Sequence, residues 1–454
     1  MGIKASCAEK DVCNSAHFDP VEYINTPRWL TSKPGLRRIE ALAEKLGRPQ
    51  DRLRFVHVAG TNGKGSVCAY LSSILQESGL KVGLFTSPYI ERFEERIRVD
   101  SKDISTPDLT AATLRVRDAA CAVEAELGEH PTEFELMCAV ALVHFEAVGC
   151  DICVMETGLG GRLDATNIIT PDISVITRIG LDHTDLLGET LDEIASEKAG
   201  IIKSGCSVVS WQQDAEALIP IEAACKNRGC QLIMPDFNDL KVCALNFSSG
   251  LYSFEYKGKS YQIRLLGSCQ PFNASVAIEA AWALRALGWN ISDNAIYAGL
   301  ENTRWTGRFE IISKEPLCIV DGAHNPQGAY ALAESLRELL AAADMKNCKV
   351  NFIAGVLADK DYEHMIAALV PLASSFTTYT PDNPRALTSG ELASAIHAQA
   401  QDDILIEAAE SPEAAVKMAL SRTSSHDCVV AFGTLYSVSR IKKCLQSVVS
   451  AGIS

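Results

Sequence analysis

Arg54-Phe55-Val56-His57-Val58-Ala59 runs into Gly60-Thr61-Asn62-Gly63-Lys64-Gly65-Ser66, and the reading of these thirteen residues decides the fold. The first six predict a strand apolar on both faces. Beyond Ser66, Val67, Tyr70, Leu71, Ile74 and Leu75 fall on one face of a helix that Gly79 ends. A strand, a loop of small residues and a helix in that order make a place where backbone N–H groups and the helix dipole meet an anion. Lys64 would bridge terminal phosphates, and Ser66 would open the helix near a metal. The strict nucleotide-loop spacing is not met: Val58 stands five before Gly63, and Gly65 separates Lys64 from Ser66. A glycine-rich turn that merely starts a helix shares this composition, but the element order favours phosphate binding.

Outward from the loop, Val82–Thr86 predicts a second strand, Glu133–Ala147 a helix, and Ile152–Glu156 and Ile173–Ile176 two more apolar strands. Strands buried on both faces and separated by helices predict an α/β fold, a doubly wound, mostly parallel sheet of P-loop type. Residues 237–263 alternate apolar and polar positions, the pattern of a small β ribbon inserted at the edge of this unit. Near Thr306 a second alternation begins. It has strands at Leu317–Val320, Val350–Val356, Phe376–Thr380, Ile404–Ile406 and Cys428–Phe432, and a helix from Pro326 to Leu340. This predicts a Rossmann-like C-terminal α/β domain. The expected division is 1–303 and 304–454, with Asn302–Gly307 as the hinge.

With 454 residues, two or three structural units are expected. Hydrophobic residues at 47% and charged residues at 22% are ordinary for a globular protein. No apolar run approaches a membrane span, and the N-terminus lacks a signal-peptide core. Gly2 and Ser6, with Cys7 beside them, fit a loose myristoylation pattern that short sequences meet by chance. A net charge of −15 argues against nucleic acid as a partner. The sixteen cysteines are scattered singly, which fits reduced thiols in a cytoplasmic protein.

Glu156 ends an otherwise apolar strand, where open α/β sheets place ligand chemistry. His183 follows the next strand and could meet it across the same edge. Hard oxygen ligands with one imidazole suit Mg²⁺. Each residue taken alone reads as an ordinary loop side chain; their shared proximity to the phosphate loop gives the reading its weight. Lys198, near a helix end, reads on composition as a surface charge.

The motifs GTNGKGS at 60–66, TSPYI at 86–90, ETGLGGRLDATN at 156–167, LDHT at 181–184, EKAGIIK at 197–203, GRFE at 307–310 and DGAHNP at 321–326 occur in one order. In this the chain resembles the folylpolyglutamate synthase/dihydrofolate synthase family, the folate branch of the Mur ligases, from Gly60 to Pro326 and more weakly to Tyr436. The resemblance implies that Thr61, Asn62, Gly63, Lys64, Gly65 and Ser66 hold ATP phosphates. It further implies that Ser87, Glu156 and His183 ligate Mg²⁺ and that Lys198 is a carbamylated lysine. Asn273, Arg308 and Asp321 match nucleotide-binding positions, with Asp321 on the ribose. Thr132, Phe134, Leu163, Asp164 and Ala165 match a pteroate pocket. Arg308 and His324 would reach the cleft only if the second domain folds down over the first. Tyr89 stands where the family often has His or Phe, and Cys269 stands before Gln270 where it usually has His.

The activity implied is a ligase that joins L-glutamate to dihydropteroate or a reduced folate through an acyl phosphate. ATP is consumed, the enzyme is a monomer, and neither nucleic acid nor membrane takes part. A sister ligase acting on muramyl peptides would share the loop and the lysine. It would lack the 163–165 stretch and would need an extra N-terminal domain, for which the 53 residues before the first strand are too few. A nucleotide-switched binding protein, the other rival, has no use for a carboxylated lysine.

Overall fold

The computed structural model describes residues 18–26, 35–345 and 347–450; the Gly2–Ser6 pattern lies outside them. The first sheet is built from β1 (Phe55–Ala59), β2 (Val82–Phe85), β3 (Ile97–Val99), β4 (Lys102–Asp103), β5 (Ile152–Glu156), β6 (Ile173–Ile176), β7 (Ser207–Ser210) and β8 (Leu232–Ile233). Its order is β4-β3-β2-β5-β1-β6-β7-β8. From β2 to β8 every pairing is parallel, whereas β3 and β4 add an antiparallel edge. All residues of β1, β2, β5 and β6 are buried, which is why they read as continuous apolar runs.

A separate antiparallel ribbon follows, β9 (Leu240–Asn246), β10 (Leu251–Tyr256) and β11 (Lys259–Ile263), within the stretch where alternation predicted one. The second sheet comprises β12 (Glu310–Lys314), β13 (Leu317–Val320), β14 (Val350–Ala354), β15 (Ala373–Thr378), β16 (Leu405–Ala408) and β17 (Cys428–Phe432), in the order β12-β13-β17-β14-β15-β16. Only its β12 edge is antiparallel. β12, which periodicity missed, is partly exposed along its length and so carries no continuous apolar signal.

Both sheets turn the carboxyl ends of their strands toward one cavity of about 670 Å³. From the first sheet it receives the residues after β1, β2, β5 and β6; from the second, those after β13, β14 and β17. The second domain is thus folded down over the first. Trp305, in the linker between the helix Asp293–Asn302 and β12, packs at the loop: a Cβ on Gly65 would lie 2.9 Å from its Nε1. The Arg98 guanidinium sits 5.3 Å from the same indole ring.

Candidate functional site

The loop Gly60–Ser66 forms one wall. Gly63, at φ +90°, precedes the helix Lys64–Glu77, and a side chain there would press within 2.5 Å of Asn273 Oδ1. Glycine therefore meets both a left-handed backbone and a close neighbour. The amides of Thr61 and Asn62 donate to the Arg178 carbonyl at 3.0 and 3.1 Å, tying the loop to the residues after β6. Lys64 Nζ donates to the carbonyls of Gly60 and Thr61 at 3.0 and 3.2 Å. Ser66 Oγ accepts from Gln270 Nε2, whose Oε1 accepts from Asn273 Nδ2, each at 3.3 Å. Gln270 and Asn273, on the first turn of the helix Gln270–Ala286, thereby join the loop; Cys269 precedes them, and burial pushes its thiol up to about 11.

Lys198, which composition placed at the surface, is 3% exposed. Its Nζ donates to the Gly60 carbonyl at 2.9 Å, so two lysines converge on one oxygen. Burial first, then the charge of Lys64, pull its pKa down to about 7. Glu156, fully buried at the end of β5, accepts the Ser87 amide at 3.0 Å on Oε2. Burial raises its pKa and the nearby Lys64 opposes the rise. His183 lines the same cavity in a left-handed conformation, φ +52°, with its pKa lowered chiefly by burial. Among the described residues no group of three His, Cys, Asp or Glu side chains could hold a metal ion by itself. A hydroxyl, a carboxylate with spare lone pairs and an imidazole on one wall nonetheless suit Mg²⁺ that shares its coordination with phosphate and water.

Thr132 and Phe134 also line the cavity. Thr132 Oγ1 accepts the Glu135 amide at 3.3 Å while Glu135 Oε2 accepts the Thr132 amide at 2.7 Å, a reciprocal cap. Phe134 covers the backbone of Gly158, where a Cβ would come within 2.5 Å of the ring, and lies 5.7 Å from Phe85. Asp164 lines the cavity, but its oxygens are engaged: they accept from the amides of Gly158, Leu159 and Thr166 and from the Thr166 hydroxyl. Leu163 is exposed and Ala165 belongs to the hydrophobic core; neither lines the cavity.

The second domain supplies the remaining wall. Asp321 follows β13 and accepts the amides of Phe309 and Ala323, both at 2.7 Å; burial raises its pKa and Arg308 counters. Arg308 and His324 both line the cavity. His324 bonds through Nδ1 to the Gly322 carbonyl at 2.7 Å, and burial lowers it to about 4. Contacts that sequence reasoning missed fasten the two domains together. Asn62 Nδ2 donates to Gln327 Oε1 at 2.8 Å and its Oδ1 accepts from Asn325 Nδ2 at 3.1 Å. Asp182 takes Asn325 Nδ2 at 3.0 Å and the Lys360 ammonium at 2.6 Å. Burial would raise the Asp182 carboxyl, yet Lys360 and His324 hold it well below the usual carboxylate range. A lone Asp and a lone Lys nearly 180 positions apart give no sequence signal for such a pair.

The model of the Mur ligase middle domain matches residues 58–281, and that of the Mur ligase glutamate ligase domain matches residues 307–435. The chain is 37% identical to dihydrofolate synthase/folylpolyglutamate synthase of Bacillus subtilis over 95% of its length and 100% of that protein. It is 36% identical to folylpolyglutamate synthase of Lacticaseibacillus casei, over 82% of this chain and 87% of the other. Among solved structures, Escherichia coli FolC in complex with DHPP and ADP superposes with a TM-score of 0.81 at 29% identity, covering 96% of this chain and 97% of that one. Mycobacterium tuberculosis folylpolyglutamate synthase complexed with ADP gives 0.82 at 29%, covering 92% and 96%.

Proposed function

The chain belongs to the Mur ligases, in their folylpolyglutamate synthase/dihydrofolate synthase family, and we propose that it is an ATP-dependent ligase joining L-glutamate to dihydropteroate and to the γ-carboxyl of a reduced folate. The observation that carries this reading is a single cavity lined both by a glycine-rich loop on which two lysines converge and by Thr132 and Phe134.

A carboxylate is a poor electrophile. Transfer of the γ-phosphoryl group of ATP to the acceptor carboxylate gives ADP and an acyl phosphate. The uncharged amine of L-glutamate attacks the acyl carbon, phosphate leaves, and the amine proton passes to solvent or phosphate. Thr61, Asn62, Gly63, Gly65 and Ser66 present the loop to the phosphates, and Lys64 leaves its two carbonyls to neutralise charge on the transferring group. Asn273, Arg308 and Asp321 would hold the nucleoside, with Asp321 Oδ atoms retaining lone pairs for ribose hydroxyls. Ser87, Glu156 and His183 would hold Mg²⁺, which neutralises phosphate charge when bound. The walls around Thr132 and Phe134 would seat the pteroate, with Asp164 holding the adjoining 158–167 loop in shape. His324 and the second domain exclude water that would hydrolyse the acyl phosphate.

Lys198 is proposed to react with carbon dioxide: its neutral amine adds to the carbon, a proton leaves, and the ammonium is replaced by a carbamate anion. A pKa near 7 leaves much of the amine uncharged at neutral pH, the form this addition requires. The division at residues 303 and 304 is supported by the two sheets lying on either side of it. The fourteen described cysteines are free, as reduced thiols in a cytoplasmic protein would be. The deciding assay is ADP release with dihydropteroate or tetrahydrofolate, each with L-glutamate. Release with both acceptors is expected; release with neither would overturn the reading, and release with tetrahydrofolate alone would restrict it to polyglutamylation.

A further inference from the structure

We propose that Cys206 and Cys230 form a thiol–disulfide exchange site, in which Cys230 meets a low-molecular-weight disulfide and Cys206 closes the bond within the chain. The site lies outside the cavity and stands whether or not the ligase reading holds.

β7 and β8 are parallel neighbours in which Val208 stands opposite Leu232, and the Val208 amide donates to the Gln231 carbonyl at 2.9 Å. Two residues back along each chain, Cys206 and Cys230 meet on the same rung. All four side chains belong to or pack against one hydrophobic cluster, as period-two alternation requires. Neighbouring strands run about 4.8 Å apart, inside the span of roughly 4.4–6.8 Å between Cα atoms that a disulfide bridges. The Cys230 sulfur faces the Cys206 thiol and the amides of Gly205 and Cys206, and it donates to the Lys203 carbonyl at 3.1 Å. Ser174 Oγ lies 3.6 Å from Cys206 Sγ. Cys225, near the end of the helix Ala215–Arg228, is the third thiol of this corner. Among the described residues, no such trio is placed to hold a metal ion. Cys348 and Cys428 supply the contrast. They also face each other, but Val350 stands opposite Cys428, so Cys348 is staggered from it by two residues.

Exposure sets the order of attack. Cys230 is half-buried, whereas Cys206 and Cys225 are buried. Burial, then Cys206, raise the Cys230 thiol, and the two amides oppose the rise, so the pair rests as thiols. The Cys230 sulfur gives up its proton and attacks one sulfur of the incoming disulfide. A bond forms to Cys230, the reagent's own S–S bond breaks, and one thiolate leaves. Cys206, deprotonated in turn, attacks the Cys230 sulfur of this mixed disulfide, and the second thiolate leaves. Two protein thiols are oxidised, one external disulfide is reduced to two thiols, and the two protons pass to the departing sulfurs. The new bond fastens the two-residue edge strand β8 to the turn that leads from Lys198 into β7, and it takes the thiol donor away from the Lys203 carbonyl.

The test treats the reduced full-length protein with oxidised glutathione under native conditions, traps the remaining thiols with N-ethylmaleimide and maps the peptides by mass. The expected product is a Cys206–Cys230 cross-link that dithiothreitol reverses, with no glutathione retained on Cys230. In Cys206→Ser the mixed disulfide on Cys230 should accumulate about tenfold or more over the wild type, because the resolving thiol is gone. Cys225→Ser should still close the bond. A Cys225–Cys230 cross-link, glutathione retained on Cys230 of the wild type, or a Cys230 left unmodified while the urea-unfolded protein reacts fully would each overturn the proposal. The wild-type map decides by itself even if a variant misfolds.

Discussion

Two loops lie side by side at the carboxyl ends of β1 and β5, and they are built in opposite ways. In the 158–167 loop, Asp164 gathers three amides and a hydroxyl, so its carboxylate is used up in holding the chain. In the 60–66 loop, Lys64 and Lys198 share one carbonyl, and neighbouring Glu156 takes a single backbone amide. Both regions bury charge, but only the second leaves charge with unfilled capacity. Buried and saturated polar groups mark architecture; buried and under-bonded ones mark where a ligand completes the structure.

That contrast is broken most forcefully at Lys64. Lys64→Ala should lower kcat about 10²–10³-fold, since a donor aimed at transition-state charge is removed, while the melting temperature stays put. A variant with near-wild-type turnover would place the lysine outside the chemistry. Asp164→Ala should do the reverse: about 2–4 kcal/mol of stability lost by urea unfolding, because several buried donors lose their acceptor, with activity falling only as a consequence. An unchanged midpoint would show that the loop holds itself without the carboxylate.

Lys198→Ala is expected to cost roughly 10–100-fold in turnover, with a small carboxylic acid restoring part of it. The wild type should lose activity as pH falls through about 7, where the amine becomes protonated and the carbamate reverts, and added bicarbonate should shift that loss to lower pH. Full activity of the alanine variant in carbon dioxide-depleted buffer would refute the carbamate. The smallest effect concerns Glu156. Its folded-state pKa lies above the ordinary value, so the protonated form favours the folded state and stability declines as pH rises from the ordinary carboxyl range through the folded pKa. Glu156→Gln should flatten that slope in the ligand-free protein; an identical slope would mean that another group sets it.

Legibility in the sequence followed burial. β5, β6, β13 and β17 have the bounds that their apolar runs predict, because strands buried on both faces are apolar almost throughout, with Ser174 and Glu156 as the polar residues among them. β3, β4, β8 and β12 were missed because they are short or half-exposed, and β7 was missed although mostly buried, its two valines standing between serines. In the site, Gly63 and Glu156 were readable from position alone. The burial of Lys198 was not, since only the packed helix Leu191–Ala199 decides whether its lysine faces water or Gly60.

Trp305 carries a consequence of another kind. Its indole lies in the interdomain linker with its nitrogen against Gly65 and a guanidinium on its face. Indole emission depends on nearby charge and on contact with water. A phosphate arriving at the loop, or a rotation of the second domain, changes both around this ring. The molecule therefore has a built-in optical reporter, separable from the four other tryptophans among its five by subtracting the emission of Trp305→Phe.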